Sequence, residues 1–148
     1  MTRPIVLDAG PLGRIAHPRP NLEITLWLRQ MLSAGVEVII PEIADYEVRR
    51  SLLLAGLKKS LERLDLLKES LAYLPLNTGM ILRAAQLWAE ARISGKPTAD
   101  PKELDSDVIL AAQSLSVGAI VATENIGHLS RFVDARHWRN ITVESNLV

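Results

Sequence analysis

Three stretches of this chain carry carboxylates where a fold could bring them together. Asp8 closes the apolar run Ile5-Val6-Leu7 and is followed at once by Ala9-Gly10-Pro11. The stretch PEIADYEVRRSL offers Glu42, Asp45 and Glu47, and ELDSDVILAAQSL offers Asp105 and Asp107. A carboxylate at the end of a buried run needs a partner, which can be a helix N-terminus, an arginine, a metal ion or a substrate. Gathered carboxylates raise one another's pKa, and a divalent cation removes that penalty. The donors are oxygens, with no Cys in the chain and no His pair at ligand spacing, which favours Mg2+ or Mn2+ over zinc. Such an ion lowers the pKa of a bound water and steadies charge on a phosphoryl oxygen.

Each acid also has a plainer reading. Acids in a first helical turn complement the helix dipole and cap free N–H groups, which covers Glu42, Asp45 and Asp105. Asp105 or Ser106 is a candidate cap of its helix. Asp107 precedes VILAAQSL, a nearly all-apolar segment that must be buried, so its carboxylate is expected to point inward. Capping explains Asp8 poorly, because it ends a strand and Gly10-Pro11 read as a turn.

The elements that must position these acids follow from the apolar pattern. PIVLD and VEVIIP read as buried strands, YLPLN as a short third, GAIVAT as a fourth and NITVES as a fifth. Helices are expected over NLEITLWLRQMLSAG, with Leu22, Leu26, Leu28, Met31 and Leu32 near helical spacing and Gly35 as its stop. EIADYEVRRSLLLAGLKKSLERLDLLKESLA reads as one helix or two hinged near Gly56. TGMILRAAQLWAEARISG presents Ile81, Ala84, Ala85 and Trp88 on one face, and DSDVILAAQSLS is a further helix. Strands that are apolar runs, alternating with helices, imply an α/β fold with a parallel sheet covered on both faces. Ligands of such sheets bind at the carboxyl ends of strands, near a switch in strand order. Asp8 and the Thr123-Glu124-Asn125 that ends GAIVAT would both lie there.

The whole-chain totals set outer limits. A chain of 148 residues that is 48% hydrophobic is expected to form one domain, residues 1–148. Aromatics are 4%, so the core must be built from Leu, Ile, Val and Ala. Lys plus Arg and Asp plus Glu are 17 each, so no global electrostatic draw to nucleic acid is visible, though a local basic patch remains open. Absence of cysteine excludes disulfides and thiolate zinc sites and fits a reducing cytoplasm. No apolar run approaches the ~20 residues of a membrane span, and the N-terminal run is too short for a signal peptide. SGKPTADPKE (94–103) reads as a loop within the domain.

In this order and spacing, four motifs resemble those of the PIN-domain family, and in particular the toxin component of VapBC-type toxin–antitoxin pairs. They are IVLDAGPL, IPEIADYEVRRSL, LDSDVILAAQSL and AIVATENIGHLSRF. The resemblance implies a three-layer α/β/α sandwich around a parallel sheet of four or five strands. It implies Mg2+- or Mn2+-dependent endoribonuclease activity, with Asp8, Glu47 and Asp107 as catalytic, metal-holding acids. Asp105 is a further candidate ligand, and Thr123 and Asn125 are supporting residues. Thr123 could hydrogen-bond Asp8 or a metal water, or satisfy its own backbone. Asn125 stands where many members carry an acid, which puts a second metal ion in doubt; whether the adjacent Glu124 enters the site is open. The implied partners are an RNA substrate, a small antitoxin and a second copy of the chain.

Cations near the acids bear on substrate. Arg14, with His17 and Arg19, follows Asp8 in an expected loop, and Arg50 lies three residues after Glu47. Both arginines are candidate RNA-backbone contacts, with an ion pair to Glu47 as the alternative for Arg50. Arg49 reads as exposed, and His17 and His128 as surface residues. Trp27 and Trp88 fall on apolar stripes and read as packing groups. The leucines from Leu52 to Leu71 exceed one buried stripe, which suggests a bent helix pair or an interface for a homodimer or antitoxin. Two other readings compete. One is a PIN-fold module that binds RNA or protein without turnover. The other is a receiver- or dehalogenase-like phosphotransfer domain, disfavoured because DAG replaces the expected paired acids and no Lys follows GAIVAT.

Overall fold

Strand β1 (Ile5–Leu7) is wholly buried and runs directly into helix α1 (Ala9–Ala16). A computed structural model describes residues 2–19, 21–94 and 101–147, with residues 101–103 described by backbone alone. After α1 come α2 (Leu22–Ser33), β2 (Val38–Pro41), α3 (Glu42–Ala55), α4 (Lys58–Ser70), β3 (Ala72–Leu74) and α5 (Thr78–Ile93). The chain continues through α6 (Pro101–Val117), β4 (Ile120–Thr123), α7 (Ile126–Leu129) and β5 (Ala135–His137). Among the described residues the five strands form one parallel sheet in the order β3-β2-β1-β4-β5.

The strand period of two sorts the core. Ile5, Leu7, Val38, Ile40, Ile120 and Ala122 face one layer, where they meet Leu12 and Ile15 of α1, Ile24, Trp27 and Met31 of α2, and Leu64 of α4. Val6, Ile39 and Val121 face the other, where they meet Leu110 of α6 and Leu129 of α7. Helix α5 packs outside α6 through Met80, Ala84, Leu87 and Ala91. Helices on both faces of an all-parallel sheet give the expected three-layer α/β/α architecture. The strand order reverses between β1 and β4, so the carboxyl ends of those two strands form the switch point.

Several expectations need correction. Residues 9–16 are helix, so Gly10 and Pro11 lie in the first turn of α1 and do not turn the chain away. Proline is tolerated there because the first-turn N–H groups have no helical acceptor. The buried stripe of α2 is Ile24, Trp27, Leu28 and Met31, while Leu22, Leu26 and Leu32 are exposed. On α5, Ile81 and Trp88 are on the exposed side, and Trp88 stacks with Arg92. Trp27 is buried as expected and donates its Nε1–H to Ile141 O at 2.9 Å. The fifth strand is Ala135–His137; NITVES instead contributes to 3-10 turns at Trp138–Asn140 and Glu144–Asn146. Helix α6 starts at Pro101, so residues 101–103 are helical, and 95–100 of the expected loop lie outside the described residues. The hinge at Gly56 is borne out: its φ of 69° closes α3 in the left-handed region, which glycine enters without a Cβ penalty.

Candidate active site

Asp8 sits where β1 hands over to α1. Its N–H donates to Ala122 O at 3.0 Å, continuing the β1–β4 ladder. Its Oδ1 accepts the Ala9 N–H at 2.8 Å, so Asp8 is the N-cap of α1 after all. Its Oδ2 accepts the Thr123 hydroxyl at 2.7 Å. Thr123 is fully buried at the end of β4, and its Oγ1 in turn accepts the Asn125 N–H at 3.0 Å. The two readings of Thr123 are therefore both realised: it serves the adjoining turn and orients Asp8 in one bond chain.

Glu47 lies in the second turn of α3 and is half-buried. Its pKa is raised from 4.5 to about 7, first by burial, then by the negative charge of Asp8; Asp107 adds to the rise and Arg50 opposes it. Carboxylates from β1, α3 and α6 thus share one field at the switch point. Asp107 is in the second turn of α6, half-buried, with interactions of its own. Neither Asp105 nor Ser106 caps α6, since the helix begins four residues before Asp105. Asp105 is exposed and lines the groove between α5 and α6 with Ile81 and Val108. Two residues along a helix is a rotation of about 200°, which separates Asp105 from the face of Asp107.

Among the described residues no three acidic or histidine side chains close into a metal cage. The donor set still suits a hydrated hard cation. Mg2+ binds through one or two carboxylates and keeps several waters, and the mutual repulsion felt by Glu47 is what a cation would relieve. Asp8, Glu47 and Asp107 are the residues able to hold it.

The cations are arranged differently from expectation. Arg14 is helical, not in a loop, and makes a side-on ion pair with Glu124, Nε to Oε1 and Nη2 to Oε2, the latter at 2.9 Å. Trp138 Nε1–H also donates to Glu124 Oε1 at 3.2 Å. Glu124 is held below the usual carboxylate range, chiefly by the hydrogen bond from Arg14. No local sequence signal announces this pair, whose members are 110 residues apart. Arg50 is exposed and lies over the Tyr46 ring, 5.1 Å from its centroid, and acts on Glu47 through space. Asn125 precedes α7 without a side-chain cap. His17 Nδ1 bonds its own loop at Arg19.

A second polar cluster was not foreseen. Asp45 is buried, not merely a first-turn acid; it accepts the Tyr73 hydroxyl at 2.8 Å and pairs with Arg49 and Lys68. Arg49, expected to be exposed, also bridges to Asp65 at 2.8 Å. Glu42 Oε1 accepts the Leu76 N–H at 3.0 Å, tying α3 to the segment after β3. This network staples α3, α4 and β3 together.

The model of the PIN domain family matches residues 5–133. No curated protein matches the sequence. Among solved structures, VapBC2 from Rickettsia felis, bound to a DNA fragment from their promoter, matches with a TM-score of 0.74 at 15% identity, covering 90% of this chain and 98% of that one. FitAcB from Neisseria gonorrhoeae matches with a TM-score of 0.70 at 23% identity, over 93% and 99% of the two chains. DNA-bound VapBC from Salmonella typhimurium matches with a TM-score of 0.71 at 19% identity, over 92% and 98%.

Proposed function

The chain belongs to the PIN domain family, and from that premise we propose that it is a Mg2+- or Mn2+-dependent endoribonuclease of the VapC toxin kind. The observation that carries the reading is that Asp8, held by Ala9 and Thr123, and Glu47, lining a cleft with Ala9 and Gly10, meet at the switch point, where the charges of Asp8 and Asp107 add to burial in raising the Glu47 pKa. These three acids would hold the ion, directly or through its waters. When bound, the ion supplies a water of lowered pKa and positive charge at the phosphate. The chain does the rest. The Ala9 N–H and Thr123 hydroxyl fix both oxygens of Asp8, so its carboxylate needs no reorganisation. Glu47, whose proton affinity lies near neutrality without the cation, would give up that proton on binding it, so that metal affinity rises with pH.

The test is cleavage of end-labelled RNA by purified, partner-free protein. Cleavage is expected in Mg2+ or Mn2+, none in EDTA, and a loss of at least about 100-fold in Asp8→Asn, Glu47→Gln and Asp107→Asn. Equal cleavage by all three variants overturns the assignment. A second reading, a module that binds without turnover, is favoured by one observation: Asn125 brings no charge and Glu124 is neutralised by Arg14. Calorimetric titration with Mn2+ separates the two, since no binding at millimolar metal favours the module.

The partner we assign is a small antitoxin, supported by the VapBC relatives. Leu53, Leu54, Leu57 and Leu66, exposed around the Gly56 hinge, are the surface offered to it or to a second copy of the chain. Light scattering of the isolated protein reads the homodimer. Among the described residues no helix is long and apolar enough to cross a membrane; a cytoplasmic location is part of the proposal.

A further inference from the structure

We propose that Glu124 is a positioning residue, holding the Arg14 guanidinium where it grips an RNA phosphate neighbouring the one at Asp8, Glu47 and Asp107. The inference rests on the nucleic-acid substrate of the nuclease reading, and not on turnover. Two clefts meet at the glycine face of α1. One, of about 360 Å³, is lined by Glu47 and Arg50; the other, of about 480 Å³, by Arg14, His17, Arg19 and Glu124. Gly10 and Gly13 line both, so a strand lying in one continues into the other across bare backbone. Along α1, Arg14 is about 9 Å beyond Asp8, at 1.5 Å per residue.

The pair is built to aim a cation. The Arg14 side chain spends its Nε–H and one Nη2–H on Glu124 and makes no other hydrogen bond or ion pair among the described residues. Its Nη1 and second Nη2 protons remain for a phosphate, in the fork geometry that arginine offers and lysine does not. Half of the Arg14 side chain is exposed, so the substrate can reach it. Glu124 is itself fixed by the buried Trp138, so the guanidinium is oriented from the core. An unpaired Glu124 in the cleft would repel a polyanion; paired with Arg14, its charge is cancelled and its geometry remains.

The test is fluorescence anisotropy of a fluorescein-labelled, mixed-sequence single-stranded RNA in EDTA, at about 50 to 200 mM KCl. Arg14→Ala is expected to weaken binding about tenfold and to flatten the slope of log K against log salt by about 0.7, the value for one phosphate contact. Glu124→Gln is expected to weaken binding about three- to tenfold with the slope unchanged, although it removes a negative charge from the cleft. Arg14→Lys keeps the slope but binds no better than Glu124→Gln. Tighter or unchanged binding by Glu124→Gln overturns the proposal, as does an Arg14→Ala protein with wild-type affinity and slope, or a wild-type protein that does not bind RNA. If instead these binding shifts appear while Mg2+ elicits no cleavage, the nuclease reading fails and the inference stands.

Discussion

Replacing Glu47 by Gln should stabilise the metal-free protein above neutral pH. Folded Glu47 holds its proton up to about pH 7, whereas the unfolded chain releases it near 4.5. Between those values the folded state binds more protons, so the unfolding free energy falls as pH rises through that window. A rise of that size corresponds to about 3 kcal/mol at 1.36 kcal/mol per unit. Glu47 is only half-buried, and solvent screening brings its contribution to about 1–2 kcal/mol. For a chain of this length the stabilisation is about 3–6 °C in Tm. The assay is urea unfolding of wild type and Glu47→Gln in EDTA, from pH 5 to pH 8, compared at constant m. The variant should be the more stable at pH 8, with the gap closing toward pH 5, and saturating Mg2+ should stabilise wild type more than the variant. A Glu47→Gln protein no more stable than wild type at pH 8, or a gap independent of pH, would refute the raised pKa of Glu47 and the burial and like charge that produce it.

Thr123→Val removes the donor to Asp8 and the acceptor of the Asn125 N–H; it should cost about 1–3 kcal/mol in urea unfolding and lower RNA cleavage about tenfold. Asp45→Asn should cost about 2–3 kcal/mol, because Arg49 and Lys68 lose a buried counter-charge yet keep some solvent. Folded Asp45 has a lowered pKa, so its contribution is present above the unfolded value and disappears as pH falls through the folded one; the gap between wild type and variant should close in acid. Where folded, Asp45→Asn should bind RNA as wild type does. Gly56→Ala meets no atom within 4 Å, so its cost is backbone strain alone, about 1 kcal/mol of unfolding free energy by urea titration, with Gly56→Asn losing less.

What the sequence revealed depended on how strongly each segment is buried. β1, β2 and β4 are buried at every position, so their apolar runs stood out. β5 is an edge strand of half-exposed Ala135, Arg136 and His137, with no pattern to read. Helix α1 was hidden by Gly10, Pro11 and Gly13, whose helix propensities are outweighed by burying Pro11, Leu12, Ile15 and Ala16 against the sheet. Asp8 and Asp107 could be picked out because one ends a buried strand and the other leads a buried helix, whereas Glu47 was separated from Glu42 and Asp45 only by the motif resemblance. The pairing of Arg14 with Glu124, and of Asp45 with Tyr73 and Lys68, depends on contacts that only the folded chain makes. Asp105 differs from its expected place because α6 begins at Pro101, which makes it a second-turn residue and not a cap.

The central position of β1 ties the assembly of the site to the synthesis of the last strands. β1 lies between β2, which follows soon after it, and β4, whose Thr123 is 115 residues beyond Asp8. Closing so long a loop is among the slow events of folding, and until it happens one side of β1 is an unpaired, wholly apolar edge. A nascent chain shorter than about 120 residues has no Thr123 hydroxyl for Asp8 and no Glu124 for Arg14. Synthesis from the N-terminus therefore delivers Asp8 and Glu47 early and Asp107, Thr123 and Glu124 late, so that a partly made chain carries an incomplete acidic cluster and an apolar strand edge until its final strands arrive.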